Sequence, residues 1–179
     1  MPHIPLPDDR PGIAGLLAVK PTTGTKIAAL MHEMLRGSSP LSPGERELIA
    51  AHVSQLNDCE FCARSHAATL HELDPGEALH PLLDGRSGAA QPRLAALLRL
   101  AGKVAAGGRQ VVPDDIAAAR TAGVTDEEIH DTVLIAAAFC MINRYVDGLD
   151  AITPHDQASY DRMGAMLAAQ GYERSAPPA

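Results

Sequence analysis

The chain has 179 residues, 46% of them apolar and 21% charged, with no Trp, two Phe and three Tyr. Its apolar share is rich in alanine, which suits closely packed helices, whereas the β-branched and aromatic residues that strands favour are scarce. This excludes an all-β architecture, and a net charge of -7 without a basic stripe excludes a nucleic-acid partner.

Residues 1–24 are expected to form an extended N-terminal arm, because prolines at 2, 5, 7 and 11 and Gly12 crowd its first half. Apolar residues at 27, 30, 31, 34 and 35 predict a helix over 25–36, ended by Gly37-Ser38-Ser39-Pro40. Ser42-Pro43-Gly44-Glu45 joins an N-cap serine, a first-turn proline and a glutamate three residues on, the signature of a helix start. Asp74-Pro75-Gly76-Glu77, Thr125-Asp126-Glu127-Glu128 and Thr153-Pro154-His155-Asp156 are read in the same way. The predicted helices cover about 43–56, 59–72, 75–82, 91–106, 114–121, 126–148 and 154–169, with loops at 84–90 and 107–112. Residues 25–171 then make one all-helical domain, followed by a flexible tail over 172–179. The capped, alanine-bearing helices beginning at Ser42 and Thr125 echo each other faintly.

The apolar run from Thr132 to Ile142 is shorter than a bilayer span. Met1 to Pro7 lacks the charged region and apolar stretch of a secretory signal. The expectation is therefore a soluble, cytoplasmic protein with no membrane partner. Three cysteines, two of them spaced Cys-x-x-Cys, are too few for a secreted disulfide scaffold and suggest redox chemistry or metal binding.

The chemistry concentrates between residues 47 and 66. Asn57-Asp58 reads as a break and N-cap, which would put Cys59 in the first turn of the next helix, where the dipole favours a thiolate. Cys59, Cys62 and His66 are spaced by three and four residues and so share one helix face. Thiol redox chemistry needs one thiolate, a base to take its proton and a second thiol to resolve the oxidised product. His66 is the natural base, since an imidazole titrates near neutrality. Glu47 on the preceding helix could orient that ring if the two helices form a hairpin.

The pattern Glu47-x11-Cys59-x2-Cys62-x3-His66 resembles the signature of the AhpD-like alkylhydroperoxidases of the carboxymuconolactone decarboxylase superfamily. Leu41 to Ala50, Cys59-Glu60-Phe61-Cys62 and Asn143 to Leu149 are similar to its branch of uncharacterised peroxidase-related proteins. The resemblance implies an all-α AhpD-like fold, assembled as homotrimers or homohexamers. It implies an antioxidant peroxidase or disulfide oxidoreductase that needs no cofactor and no metal. Cys62 would be the peroxidatic nucleophile, Cys59 the resolving thiol, and His66 and Glu47 the proton relay. Its partners would be a small peroxide and an external thiol, a lipoyl or thioredoxin-like reductant. The chain departs from the best-studied peroxidases at Phe61, where they carry a histidine; an apolar ring cannot relay a proton.

Two other readings stand beside this one. A non-catalytic redox-sensing or zinc-binding helical oligomer would use the cysteine pair and His66 with His52 or His71. A lactone enzyme of the carboxymuconolactone decarboxylase kind would need a pocket that the sequence does not define. Cys140, in an apolar run, is expected as a buried core thiol and Phe61 as a pocket wall. His3, His32, His71, His80, His130 and His155 share no spacing and read as surface or interface residues.

Overall fold

The computed structural model describes residues 1–76, 78–83 and 92–173, and among these residues there are helices and no strands. In chain order the helices are α1 (Ile13–Val19), α2 (Pro21–Arg36), α3 (Pro43–Leu56), α4 (Glu60–Leu73), α5 (His80–Leu83), α6 (Pro92–Ala106), α7 (Pro113–Thr121), α8 (Asp126–Gly148) and α9 (Gln157–Gln170). A single 3₁₀ turn, Gly108–Gln110, joins α6 to α7.

α3 is the central element. It packs against α2, α4, α6 and α8, and Leu48, Ile49, Ala50, Ala51 and Val53 are all buried. A helix enclosed in this way needs small residues where neighbouring backbones come close, which accounts for its paired alanines. α8 is 23 residues long, enough to reach across a bilayer by length. Its Ile129, Ile135, Phe139, Ile142 and Val146 are buried within the protein, which makes it a core helix.

The expected caps at Ser42 and Thr125 are both formed. Each side-chain oxygen accepts from the N–H three residues on, while Glu45 and Glu128 reach back to the N-cap backbone. The two glutamates also converge on Arg93 of α6, which donates to both. α3 and α8 end alike as well. Asp58 (φ 57°) and Asp150 (φ 48°) take the left-handed position, while Cys59 N–H donates to Ser54 O and Ala151 N–H to Val146 O. This is the six-to-one bond that closes a helix C-terminus.

Several boundaries differ from the sequence expectation. The extended arm stops at residue 12, since α1 fills 13–19 and α2 starts at Pro21. α1 has only seven residues, too few to display a helical period, and burial of Leu16 and Leu17 secures it. The helix expected over 75–82 is reduced to His80–Leu83, because the Asp74 carboxylate accepts from Leu79 N–H at 2.7 Å instead of capping a helix beside it. At the last helix Asp156, and not Thr153, is the N-cap, accepting from Ser159 N–H. Asn57-Asp58 closes α3, and Cys59 itself is the N-cap residue of α4. The expected 84–90 loop lies outside the described residues.

α9 lies across α4 at a near-contact of backbones. A Cβ on Gly164 would stand 2.6 Å from the carbonyl carbon of Ala68, so no larger residue fits unless the helices separate. Gly164→Val is expected to destabilise the fold by about 1–3 kcal/mol through overpacking, measured by chemical denaturation.

Candidate active site

Cys59 and Cys62 are free thiols, held at the N-cap and on the first turn of α4. The turn that delivers them is fixed from α8. Asn143, fully buried, donates to Ser54 Oγ at 3.0 Å and accepts from Asn57 Nδ2 at 2.8 Å. Ser54 in turn accepts the Cys59 N–H on its carbonyl. Asn143 therefore acts structurally, by clamping the end of α3 against the start of α4.

The two sulfurs have different surroundings. Cys59 is sealed from solvent, whereas Cys62 lines a cavity of about 360 Å³ together with Phe61, Ser65 and His66. A hydrogen bond to Cys62, burial, and a contact with the Asp147 carboxylate push the Cys59 thiol far above its ordinary range. Cys59 is thus held protonated. A thiolate at Cys59, expected from the sequence, is therefore disfavoured: the hydrogen bond to Cys62 and burial together outweigh the helix dipole.

Beside the cavity stands Glu47, on α3 and completely buried. Its Oε2 accepts from His66 Nδ1 at 2.6 Å, so that nitrogen carries the proton and Nε2 is left as the basic site. Its Oε1 accepts from Tyr172 Oη at 2.7 Å and pairs with Arg36 at 2.7 Å. Burial pushes the Glu47 carboxyl up, but His66, Arg36 and Tyr172 outweigh it, and the net value falls below the ordinary 4.5. Burial and the Glu47 charge raise the Tyr172 phenol well above its usual range, so it stays a neutral donor. The His66 ring also meets Phe139 edge-on at 4.5 Å, which fixes its plane.

The structure thus brings Glu47, Cys59, Cys62 and His66 together. Two members of the cluster, Arg36 and Tyr172, were not expected from the sequence. Arg36 is the last residue of α2 and was masked by its ordinary place as a C-terminal cation. Tyr172 falls in the segment expected to be a flexible tail, yet it is buried. Gly171 turns the chain at φ 69°, His32 Nδ1 accepts the Tyr172 N–H, and Arg36 lies over its ring at 5.2 Å. His32 is therefore a support of the site and not a surface histidine. The only hint in the sequence is a tyrosine, one of three, directly after a glycine. Residues from 174 onward lie outside the described residues.

Other expectations resolve differently. Phe61 is a wall of the cavity, and its ring is covered by Gly12, where a Cβ would overlap it. His52 faces a separate cavity with Leu56 and Leu98, and His71 meets His80 edge-on. Neither joins the cysteines, and among the described residues no group of three His, Cys, Asp or Glu could hold a metal ion. Cys140 is half-buried, not fully enclosed, and accepts from Asn57 Nδ2 at 3.6 Å.

A model of the carboxymuconolactone decarboxylase family matches residues 21–101, from α2 into α6. The whole fold is similar to an uncharacterised peroxidase-related protein from Silicibacter sp. TM1040, with a TM-score of 0.74 and 26% identity, covering 84% of this chain and 78% of that one. It is also similar to a peroxidase-related protein with an alkylhydroperoxidase AhpD core from Ralstonia eutropha JMP134, with a TM-score of 0.75 and 27% identity, covering 86% and 80%. No curated protein matches the chain. The fold is that of AhpD-core helical proteins. The family match spans less than half of the chain, and with the two structures it establishes a likeness to peroxidase-related proteins with an AhpD core.

Removal of the Glu47 charge leaves Arg36 buried without its partner, so Glu47→Gln is expected to cost about 3–5 kcal/mol at neutral pH. The folded Glu47 carboxyl titrates below its unfolded value, so its contribution is complete above about pH 4.5 and is lost as pH falls through the folded value. Denaturation midpoints measured from neutral pH into acid should fall more steeply for the wild type than for the glutamine variant.

Proposed function

We propose that the protein is a thiol-dependent peroxidase that works through Cys62 and Cys59, an activity of the peroxidase-like kind its family carries. The observation behind this reading is the asymmetry of the pair: Cys62 faces a cavity beside His66, whose Nδ1 is held by buried Glu47, while Cys59 is sealed behind it as a protonated thiol.

In this reading His66 Nε2 takes the Cys62 proton, with Glu47 stabilising the imidazolium. The thiolate attacks the terminal peroxide oxygen and the O–O bond breaks. The alkoxide leaves with the proton from His66 as an alcohol, and Cys62 becomes a sulfenic acid, oxidised by two electrons. The Cys59 sulfur attacks the sulfenic sulfur, the disulfide forms and water departs. An external dithiol of the lipoyl or thioredoxin kind then returns two electrons by exchange. Tyr172 and Arg36 position Glu47 and take no proton. With Phe61 apolar, His66 is the group beside Cys62 that takes and returns the proton in this reading.

Assembly as a homotrimer or homohexamer and a cytoplasmic setting belong to the same proposal. Exposed Leu30 on α2 and Leu134 on α8 line one groove and offer apolar surface for assembly.

Cys62→Ser is expected to reduce peroxide consumption to background, and Cys59→Ser to consume one equivalent and leave a sulfenic acid that dimedone traps. His66→Ala should slow oxidation of Cys62 by about 10²–10⁴-fold. Peroxide turnover undiminished in Cys62→Ser overturns the proposal.

A further inference from the structure

We propose that the cavity at Cys62 takes an amphipathic organic hydroperoxide bearing an anionic group, of the fatty-acid hydroperoxide class, and that Arg162 receives that group. The inference rests on the thiol-peroxidase reading and adds the substrate class.

The first argument is size and lining. A water molecule has a share of about 30 Å³ in the liquid, so a cavity of about 360 Å³ greatly exceeds the needs of hydrogen peroxide. Its walls include Met31, Phe61, Ile142, Met163, Met166 and Leu167, surfaces that favour a hydrocarbon body. Three thioethers among them adapt to chains of different shape.

The second argument is charge. Two arginines, Arg10 and Arg162, belong to the lining. Arg10 is matched by Asp8, which it meets at 2.9 Å and 3.0 Å. Arg162 donates to the Ser159 hydroxyl at 3.0 Å and has no carboxylate partner within ion-pair distance among the described residues. Asp156 lies within electrostatic reach of Arg162 and shares its Ser159 hydroxyl, but forms no ion pair with it, so on a chain of net charge -7 the guanidinium keeps its fork open beside an apolar cavity. Arg162 is exposed, whereas Cys62 and His66 are buried, so a ligand running from the thiol to solvent has its outer end near the guanidinium. A carboxylate matches that planar fork by two parallel hydrogen bonds.

The reaction itself is unchanged. The hydroperoxide oxygen goes to Cys62, the hydroperoxide is reduced by two electrons to the hydroxy acid, and the carboxylate takes no part in bond making.

The test compares linoleic acid hydroperoxide with its methyl ester, in wild type and Arg162→Gln, with the same dithiol reductant. The wild type should favour the acid over the ester by about three- to tenfold in kcat/KM, carried by KM and weakened by salt. Arg162→Gln should bring the ratio close to one. Binding of unoxidised linoleate to the resting protein, measured by calorimetry, should weaken by a similar factor in the variant, while methyl linoleate binding should not follow. Turnover with an acid-to-ester ratio that Arg162→Gln leaves unchanged overturns the substrate assignment. Linoleate binding that depends on Arg162, without turnover of any hydroperoxide, sustains the ligand class and overturns the peroxidase reading instead.

Discussion

One buried carboxylate organises this molecule. An isolated ionised carboxyl in an interior costs several kcal/mol, and the cost is met only when its oxygens are fully engaged. Glu47 reaches that condition with partners from three other parts of the chain: Arg36 from the end of α2, His66 from α4 and Tyr172 from beyond α9. Satisfying the charge therefore fixes how these segments meet. The same contacts set the tautomer of His66, so stability and the proposed proton transfer make demands on the same atoms.

A second arrangement keeps the sulfurs in register with that carboxylate. Asn143 on α8 clamps the turn between α3 and α4, and Arg93 on α6 joins the capping glutamates of α3 and α8. These two core helices are thus tied near their starts by one guanidinium and near their ends by one amide. Cys59 and Cys62 sit where the second of these ties acts. Asp58 accepts a left-handed backbone there, a conformation that a short polar side chain tolerates better than a bulky one.

Much of the fold was legible because its punctuation is local. Ser42 and Glu45, or Thr125 and Glu128, lie three residues apart, and a capping box is a property of that interval alone. The spacing of Glu47, Cys59, Cys62 and His66 was legible for the same reason, since a helix hairpin needs only a turn between its halves. What escaped was decided at long range. Nothing near Tyr172 in the sequence announces a buried carboxylate, and nothing near Arg36 separates it from any cation ending a helix. The helix expected at Asp74 failed through a choice between two acceptor geometries, which a single side chain can make in either way. α1 escaped because its stability comes from burial and not from a visible period.

The bond between Tyr172 and Glu47 spans 125 residues of chain. Synthesis at about 5–20 residues per second separates the birth of these two residues by roughly 6–25 s. For most of that interval Arg36, Glu47 and His66 already exist, but the phenol that completes the carboxylate's shell does not. Until Tyr172 has emerged, Glu47 can pair with Arg36 and His66, but the hydrogen bond of the phenol has to be supplied by water. Completion of the carboxylate's shell is in this sense a late event in the life of the chain, timed by the ribosome as much as by the fold.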